Sequence, residues 1–175
     1  MSQVYDRVAL IGLGLIASSI FWASKRNNVS GHITGFARSE QTRSTARKIK
    51  LCDEVSDNLE NTVTDADLIV LCVPVGAMEQ VMVEIAPFIK AGATVTDVGS
   101  VKVPIVETWE KIHDLFIGSH PMAGTEEKGV SAGKIELFDH SKWVITPTDK
   151  TDQNSLNTLS KLIKTMGCDI YFENP

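Results

Sequence analysis

Aromatic residues are scarce in this chain, at 6% of 175 residues, and it holds only three cysteines and six prolines. Cys52, Cys72 and Cys168 are far apart, odd in number and form no C-x-x-C pair. Neither a disulfide framework nor a metal site is indicated, and a reduced, cytoplasmic setting is expected. Positive charge is not in excess either: 17 Lys and Arg face 22 Asp and Glu, a formal net charge of −5. Nucleic-acid binders normally carry a basic surface, so that class is set aside. No apolar run is long enough for a comfortable membrane span. The longest, Val8 to Ala23, is interrupted by Gly12, Gly14, Ser18 and Ser19, and Asp6 beside Arg7 denies it the positive flank of a signal peptide. Repeats, low-complexity tracts and linkers are lacking as well. What remains is 43% hydrophobic and 22% charged, the composition of one globular domain over residues 1–175 with a substantial core.

Apolar periodicity fills that domain with alternating elements. Strands are predicted from Arg7 to Leu13, Ile33 to Ala37, Asp67 to Val73, Thr94 to Val98, Phe116 to Gly118, Trp143 to Thr146 and Cys168 to Phe172. Helices are predicted at Leu15 to Asn27, Glu40 to Lys50, Gly76 to Ile89, Val101 to His113 and about Asn154 to Met166. A loop is expected from Ser119 to Gly133. Unbroken aliphatic strands alternating with amphipathic helices imply an α/β fold: a mostly parallel sheet with helices on both faces.

The first strand hands over to the first helix through Gly12-Leu13-Gly14-Leu15-Ile16-Ala17, a G-x-G-x-x-A turn. The first glycine permits a tight turn, the second lets backbone approach a pyrophosphate, and a small third residue lets helix and strand pack closely. The helix N-terminus then presents free N–H groups to the anion. In a strand–turn–helix at the start of such a series, this pattern reads as a Rossmann-type dinucleotide site, with Gly12, Gly14, Leu15 and Ile16 at the phosphates.

The second strand bears on which dinucleotide. An NAD site places a carboxylate about 20 residues beyond the turn, on the ribose hydroxyls. Here that position is Ala37, followed by Arg38 and Ser39, with Arg43 and Arg47 just beyond. Residues 1–50 carry 8 basic and 2 acidic side chains, whereas residues 51–175 carry 9 basic and 20 acidic. The basic cluster is either a solvated helix face or a site for an extra phosphate. With Arg38, Ser39 and Arg43 on the ribose phosphate, NADP is expected over NAD.

Two further stretches follow predicted strands: Asp97-Val98-Gly99-Ser100-Val101-Lys102 and Gly118-Ser119-His120-Pro121-Met122-Ala123-Gly124-Thr125. Their strand ends open on the same side as the glycine turn. Of the four histidines, only His120 lies between a strand end and a Pro/Gly-constrained loop. Alone it is as compatible with a structural role as with a catalytic one, and Ser100 alone suits a helix N-cap.

Taken together, G-L-G-L-I-A, V-P-V, D-V-G-S-V-K and G-S-H-P-M-A-G-T-E resemble the prephenate/arogenate (cyclohexadienyl) dehydrogenase family. The likeness extends through Leu137-Phe138 and Trp143-Val144-Ile145-Thr146-Pro147 to cover essentially the whole chain. The resemblance implies oxidative decarboxylation of a cyclohexadienyl substrate, prephenate or arogenate, with His120 taking the proton of the ring hydroxyl. Imidazole suits that role because it is ordinarily neutral near pH 7. It also implies that Ser100 binds near the same hydroxyl, that Val73, Pro74 and Val75 lie along the cofactor, and that Thr125 and Glu126 line the substrate side. Ala37 and Arg38 resemble the NADP-using branch. A helical domain following the nucleotide-binding domain is expected from the resemblance and is absent from these 175 residues. Homodimerisation is expected only with it. The competing expectations are another NADP enzyme, such as a β-hydroxyacid dehydrogenase or imine reductase, and a non-catalytic NADP-binding module.

Overall fold

Strand β1 (Tyr5–Ile11) shows why this sequence builds a sheet covered on both sides. Side chains alternate along a strand, so consecutive aliphatic residues must bury on opposite faces. Val8 and Leu10 join one apolar layer with Ile20, Phe21, Trp143 and Leu162. Ala9 and Ile11 join the other with Leu71, Met82, Ile85 and Trp109.

The computed structural model describes residues 3–175. After β1 come α1 (Leu15–Asn27), β2 (Ser30–Phe36), α2 (Glu40–Lys48), β3 (Glu54–Ser56), α3 (Leu59–Val63), β4 (Leu68–Leu71) and α4 (Val75–Ile85). Then follow β5 (Thr94–Asp97), α5 (Val103–Trp109), β6 (Phe116–Met122), β7 (Lys142–Thr146), α6 (Gln153–Thr165) and β8 (Asp169–Phe172). The eight strands form one sheet in the order β3-β2-β1-β4-β5-β6-β7-β8. All neighbours are parallel except β6 and β7. This is the expected Rossmann-type α/β architecture. Strand order reverses at β1, which has β2 on one side and β4 on the other, and a crevice opens beyond their carboxyl ends. Among the described residues no helix is long and apolar enough to cross a membrane.

Most predicted elements appear within two or three residues of their expected ends, and α1 has the expected bounds. Three differences have physical causes. β3 and α3, three and five residues long, are too short to show a period. α4 stops at Ile85 and Ala86–Phe88 tightens into a 3₁₀ turn around Pro87, which has no N–H for an α-helical bond. β6 does not end at Gly118: it runs through His120 and Pro121 to Met122, paired antiparallel with β7. A proline fits there because the Ser119 N–H points toward β5, so the missing N–H of Pro121 faces the same side, beyond the end of β5. His120 therefore sits on a strand, and the loop begins after it.

The loop after β6 is strapped to α1. Ser18 Oγ donates to the Val130 carbonyl (2.9 Å), and the Lys134 amide donates to Ser19 Oγ (3.0 Å). Gly133 allows this approach, since a Cβ there would lie 2.4 Å from Ser18 Cβ.

Two aspartates tie strand starts together at the opposite edge of the sheet. Asp53 accepts from the Ile33 amide (2.8 Å) and Lys25 Nζ (2.7 Å). Asp67 accepts from the Arg7 amide (2.8 Å) and Lys90 Nζ (2.6 Å). Burial by itself would raise both carboxyls, but these lysines and amides hold them below the ordinary aspartate value of 3.8. A depressed folded-state pKa contributes stability that is present above the unfolded value and is lost as pH falls through the folded one. The thermal midpoint should therefore be level near neutrality and fall below about pH 4. The double variant Asp53→Asn, Asp67→Asn should start lower at neutral pH and lose less on acidification. Circular dichroism melts across that range check this, and equal acid slopes in the two proteins would contradict it.

Candidate active site

The crevice at the strand-order reversal begins with the glycine turn. Gly12 has φ +96°, a region open to glycine, and a Cβ there would lie 2.9 Å from Val73 Cγ1 and 3.0 Å from the Cys72 carbonyl carbon. Gly14 differs. It is the N-cap of α1 in an extended conformation, and a Cβ built on it would meet nothing within 4 Å. No protein neighbour requires glycine at that position; it leaves open space over the first turn of α1, where Leu15, Ile16 and Ala17 amides have no intrahelical partner. No acidic residue occupies that turn. The turn, the open space and the helix dipole form a cradle suited to a pyrophosphate.

A cleft of about 560 Å³ extends from this cradle, lined by Gly12, Gly14, Arg38, Ser39, Val73 and Pro74. Six of the residues expected at a cofactor thus come together. Thr42, Leu59, Cys72 and Ala77 also line the cleft and were not among the expected residues. Thr42 is the one that spacing points to, one helical turn beyond Ser39. Burial pushes the Cys72 thiol far above its ordinary value, so it behaves as a small apolar group. Leu15 and Ile16 sit half-buried at the start of α1.

Two expected residues are elsewhere. Val75 faces a small groove between α4 and α5 with Met78 and Trp109. Arg43 braces the β2–α2 turn from within: Nη1 donates to the Ala37 carbonyl (2.8 Å) and the Arg38 carbonyl (2.7 Å), while Nε and Nη2 donate to Glu40 Oε2. Arg47 pairs with the other oxygen of Glu40 (3.3 Å). Lys25 and Arg26 pair with Asp53 and Asp139. Four of the eight basic residues of 1–50 are therefore paired in place, and the positive charge does not gather at the cleft as a block. Arg38 is the exposed cation that lines it. Ser39 caps α2, its Oγ accepting from the Thr42 amide (3.4 Å).

Further along the same edge, beyond β5 and β6, lie His120 and Ser100. His120 Nδ1 is 3.2 Å from the Val98 carbonyl. A carbonyl only accepts, so this contact places the proton on Nδ1 and leaves the lone pair on Nε2. Ser100 is exposed and does not cap α5, whose N-cap is Lys102 with no side-chain bond. Its hydroxyl is thus not consumed by the helix. Thr125 and Glu126 lie exposed on the loop after β6, where Thr125 Oγ1 accepts from the Glu127 amide (3.3 Å). No hydrogen bond joins them to His120 or Ser100.

Behind His120 is a buried ion pair that the residue pattern did not single out. Asp97, fully buried at the end of β5, accepts from the Gly99 amide (2.9 Å), the Ser119 amide (3.1 Å) and Lys102 Nζ. Lys102 also donates to the Ser119 carbonyl (2.7 Å). Burial pushes the Asp97 carboxyl up and the Lys102 ammonium down, and their mutual attraction opposes both shifts. Ser119 Oγ donates to the Asp97 carbonyl (2.8 Å) and accepts from Trp143 Nε1 (3.0 Å).

Comparison with known proteins bears on this arrangement. The sequence profile of the family described as "Prephenate dehydrogenase, nucleotide-binding domain" matches residues 22–172. A cyclohexadienyl dehydrogenase from Zymomonas mobilis is 38% identical over 155 residues, which make up 87% of this chain and 53% of that protein. The crystal structure of prephenate dehydrogenase from A. aeolicus, in complex with hydroxyphenyl propionate and NAD⁺, superposes with a TM-score of 0.92 at 28% identity. That superposition covers 100% of this chain and 61% of the other. Synechocystis arogenate dehydrogenase superposes with a TM-score of 0.89 at 32% identity, over 97% of this chain and 60% of the other. The chain spans about half the length of the curated relatives it matches, between 40% and 53%. These matches favour neither the β-hydroxyacid dehydrogenase nor the imine reductase alternative.

The contrast between the two glycines is testable without any ligand. Gly12→Ala should lower unfolding free energy by about 1–3 kcal/mol, from a positive φ and a close backbone approach. Gly14→Ala should change it by less than about 1 kcal/mol. Urea unfolding of both variants measures this, and equal losses would contradict the open space assigned above Gly14.

Proposed function

The chain belongs to the prephenate dehydrogenase family, as its nucleotide-binding domain, and on that premise we propose that it serves NADP-dependent oxidative decarboxylation of prephenate or arogenate. The observation that carries the reading is the alignment of three features along one sheet edge. In strand order these are the glycine cradle after β1, the Val73-Pro74 wall after β4, and Ser100 and His120 after β5 and on β6. A dinucleotide laid on the cradle would run toward the two polar side chains, where substrate chemistry takes place.

Gly12, Gly14 and the amides of Leu15 and Ile16 would hold the pyrophosphate; Val73 and Pro74 would flank the cofactor. When bound, the dinucleotide supplies the two-electron acceptor that the oxidation requires. His120 supplies the base. Its Nε2 lone pair accepts the hydroxyl proton of the substrate ring as the carbinol carbon is oxidised, and the charge gained is shared with the Val98 carbonyl through Nδ1–H. Loss of the ring carboxylate as CO₂ then leaves an aromatic product. Ser100 offers a hydroxyl to orient the same substrate oxygen. Thr125 and Glu126 are assigned to the substrate side, which requires the loop after β6 to fold toward His120. A positioned base of this kind typically contributes roughly 10²–10⁴-fold.

The preference for NADP rests on Arg38. It lines the cleft at the end of β2; Glu40 beside it is held by Arg43 and Arg47, and the carboxylate in the cleft lining is Glu84, which comes from α4. Ser39 and Arg43 take different parts: Ser39 offers its hydroxyl, and Arg43 shapes the turn that presents Arg38. A soluble, cytoplasmic setting, a helical domain after this one and a homodimer built through that domain complete the proposal.

The test is a coupled assay on the natural full-length gene product, with prephenate and arogenate each offered with NADP⁺ and NAD⁺. One CO₂ should be released per reduced nicotinamide formed, with one of the two substrates at least, and NADP⁺ should bind more tightly than NAD⁺. Arg38→Ala should weaken NADP⁺ by roughly tenfold or more and leave NAD⁺ nearly unchanged. Reduction without CO₂ release would sink the decarboxylase reading. Equal or tighter NAD⁺ binding, with NADP⁺ indifferent to Arg38→Ala, would sink the cofactor assignment.

A further inference from the structure

Backbone pairing between β5 and β6 covers only Val95 with Phe116 and Thr96 with Ile117. Past that point the seam is continued by side chains. Asp97 Oδ1 takes the Ser119 amide, Asp97 Oδ2 takes the Gly99 amide, and Lys102 bridges the same carboxylate to the Ser119 carbonyl. Each gripped residue immediately precedes one assigned to the chemistry: Gly99 before Ser100, and Ser119 before His120.

The peptide joining Val98 to Gly99 makes the connection direct. A peptide unit is planar, with its C=O and N–H pointing opposite ways, so fixing one orients the other. Asp97 holds the N–H of this unit, at Gly99, and its C=O, at Val98, receives His120 Nδ1. Rotating the unit away from Asp97 would turn its carbonyl away from the imidazole. The Ser119–His120 peptide is held from its other end, through the Ser119 carbonyl on Lys102.

Stability alone does not account for such a pair. Desolvating two charges is costly, and buried pairs replaced by apolar residues of similar volume are often no less stable. Holding a unique geometry is the better-founded use, and here the geometry held is that of the imidazole.

We propose that Asp97 and Lys102 are positioning residues that fix His120 in its Nδ1–H tautomer, through the Val98–Gly99 peptide, and set Ser100 beside it. The proposal deepens the function assigned above and rests on it for its catalytic consequence, while its structural half stands independently of any turnover.

The test combines ¹⁵N NMR of the His120 ring with steady-state kinetics on the natural full-length gene product, as wild type, Asp97→Asn and Lys102→Met. Wild type should show one tautomer with the proton on Nδ1. Asp97→Asn keeps one acceptor oxygen and turns an NH2 group toward one of the two amides that the carboxylate held, and Lys102→Met removes the cation with little change in volume. Either should give a mixture of ring tautomers and lower kcat by roughly tenfold or more, with KM for the dinucleotide within about threefold of wild type. A folded variant whose ring stays in the single Nδ1–H form overturns the proposal whatever its rate. So does a wild-type ring with its proton on Nε2. If neither variant folds, hydrogen exchange in the wild type decides. Gly99 and Ser119 amides as slow as those of β4 support the clip, and fast exchange at both overturns it. Absence of turnover in the wild type would count against the function and leave the ring measurement valid.

Discussion

A carboxylate buried at the end of a central strand has to be solvated by the chain itself, and Asp97 recruits two backbone amides and a lysine to do so. Most of the carboxyl edge follows from that requirement. Lys102 must reach back from the start of α5, which fixes the turn carrying Ser100. Ser119 must come within reach of Asp97, which holds β6 beside β5 after their backbone pairing has ended. His120, next on β6, then meets the Val98 carbonyl. Trp143 on β7 closes the arrangement from the far side by donating to Ser119 Oγ. Removing the Asp97 carboxylate would take the partner from the buried Gly99 and Ser119 amides together, and that shared dependence gives the site its rigidity.

At the other end of the crevice the logic is reversed. The glycine cradle is defined by what it leaves open: Gly12 lets the backbone pass close to β4, and Gly14 keeps space over the helix start. One half of the edge is thus packed and polar, suited to orienting a reacting group, and the other is vacant and lined by amides, suited to an anion. A sheet whose strand order reverses between β1 and β4 brings the two halves onto one line.

Local pattern is enough to read much of this. The glycine turn and the Asn27-Asn28 step delimit α1, and the unbroken aliphatic runs Val8–Ile11 and Leu68–Leu71 imply a sheet covered on both sides. The H-P-M-A-G-T and D-V-G-S-V-K stretches carry the family likeness. What local pattern cannot supply is which side chains meet. Arg38 and Arg43 are equivalent by composition, yet only the fold directs Arg43 inward onto the Ala37 and Arg38 carbonyls. Asp97 and Lys102 stand in plain view in one motif, but their common target, Ser119, lies on another strand. The extension of β6 through Pro121 is equally non-local, since it depends on β7 returning antiparallel and on β5 ending early.

The role of His120 as proton acceptor is tested most directly by His120→Asn in the natural full-length gene product, with kcat and dinucleotide affinity measured on the same preparation. Asparagine can still donate to the Val98 carbonyl but offers no basic lone pair. Turnover is expected to fall by roughly two orders of magnitude or more while dinucleotide affinity barely moves. Near-normal turnover in that variant would contradict the assignment of the base.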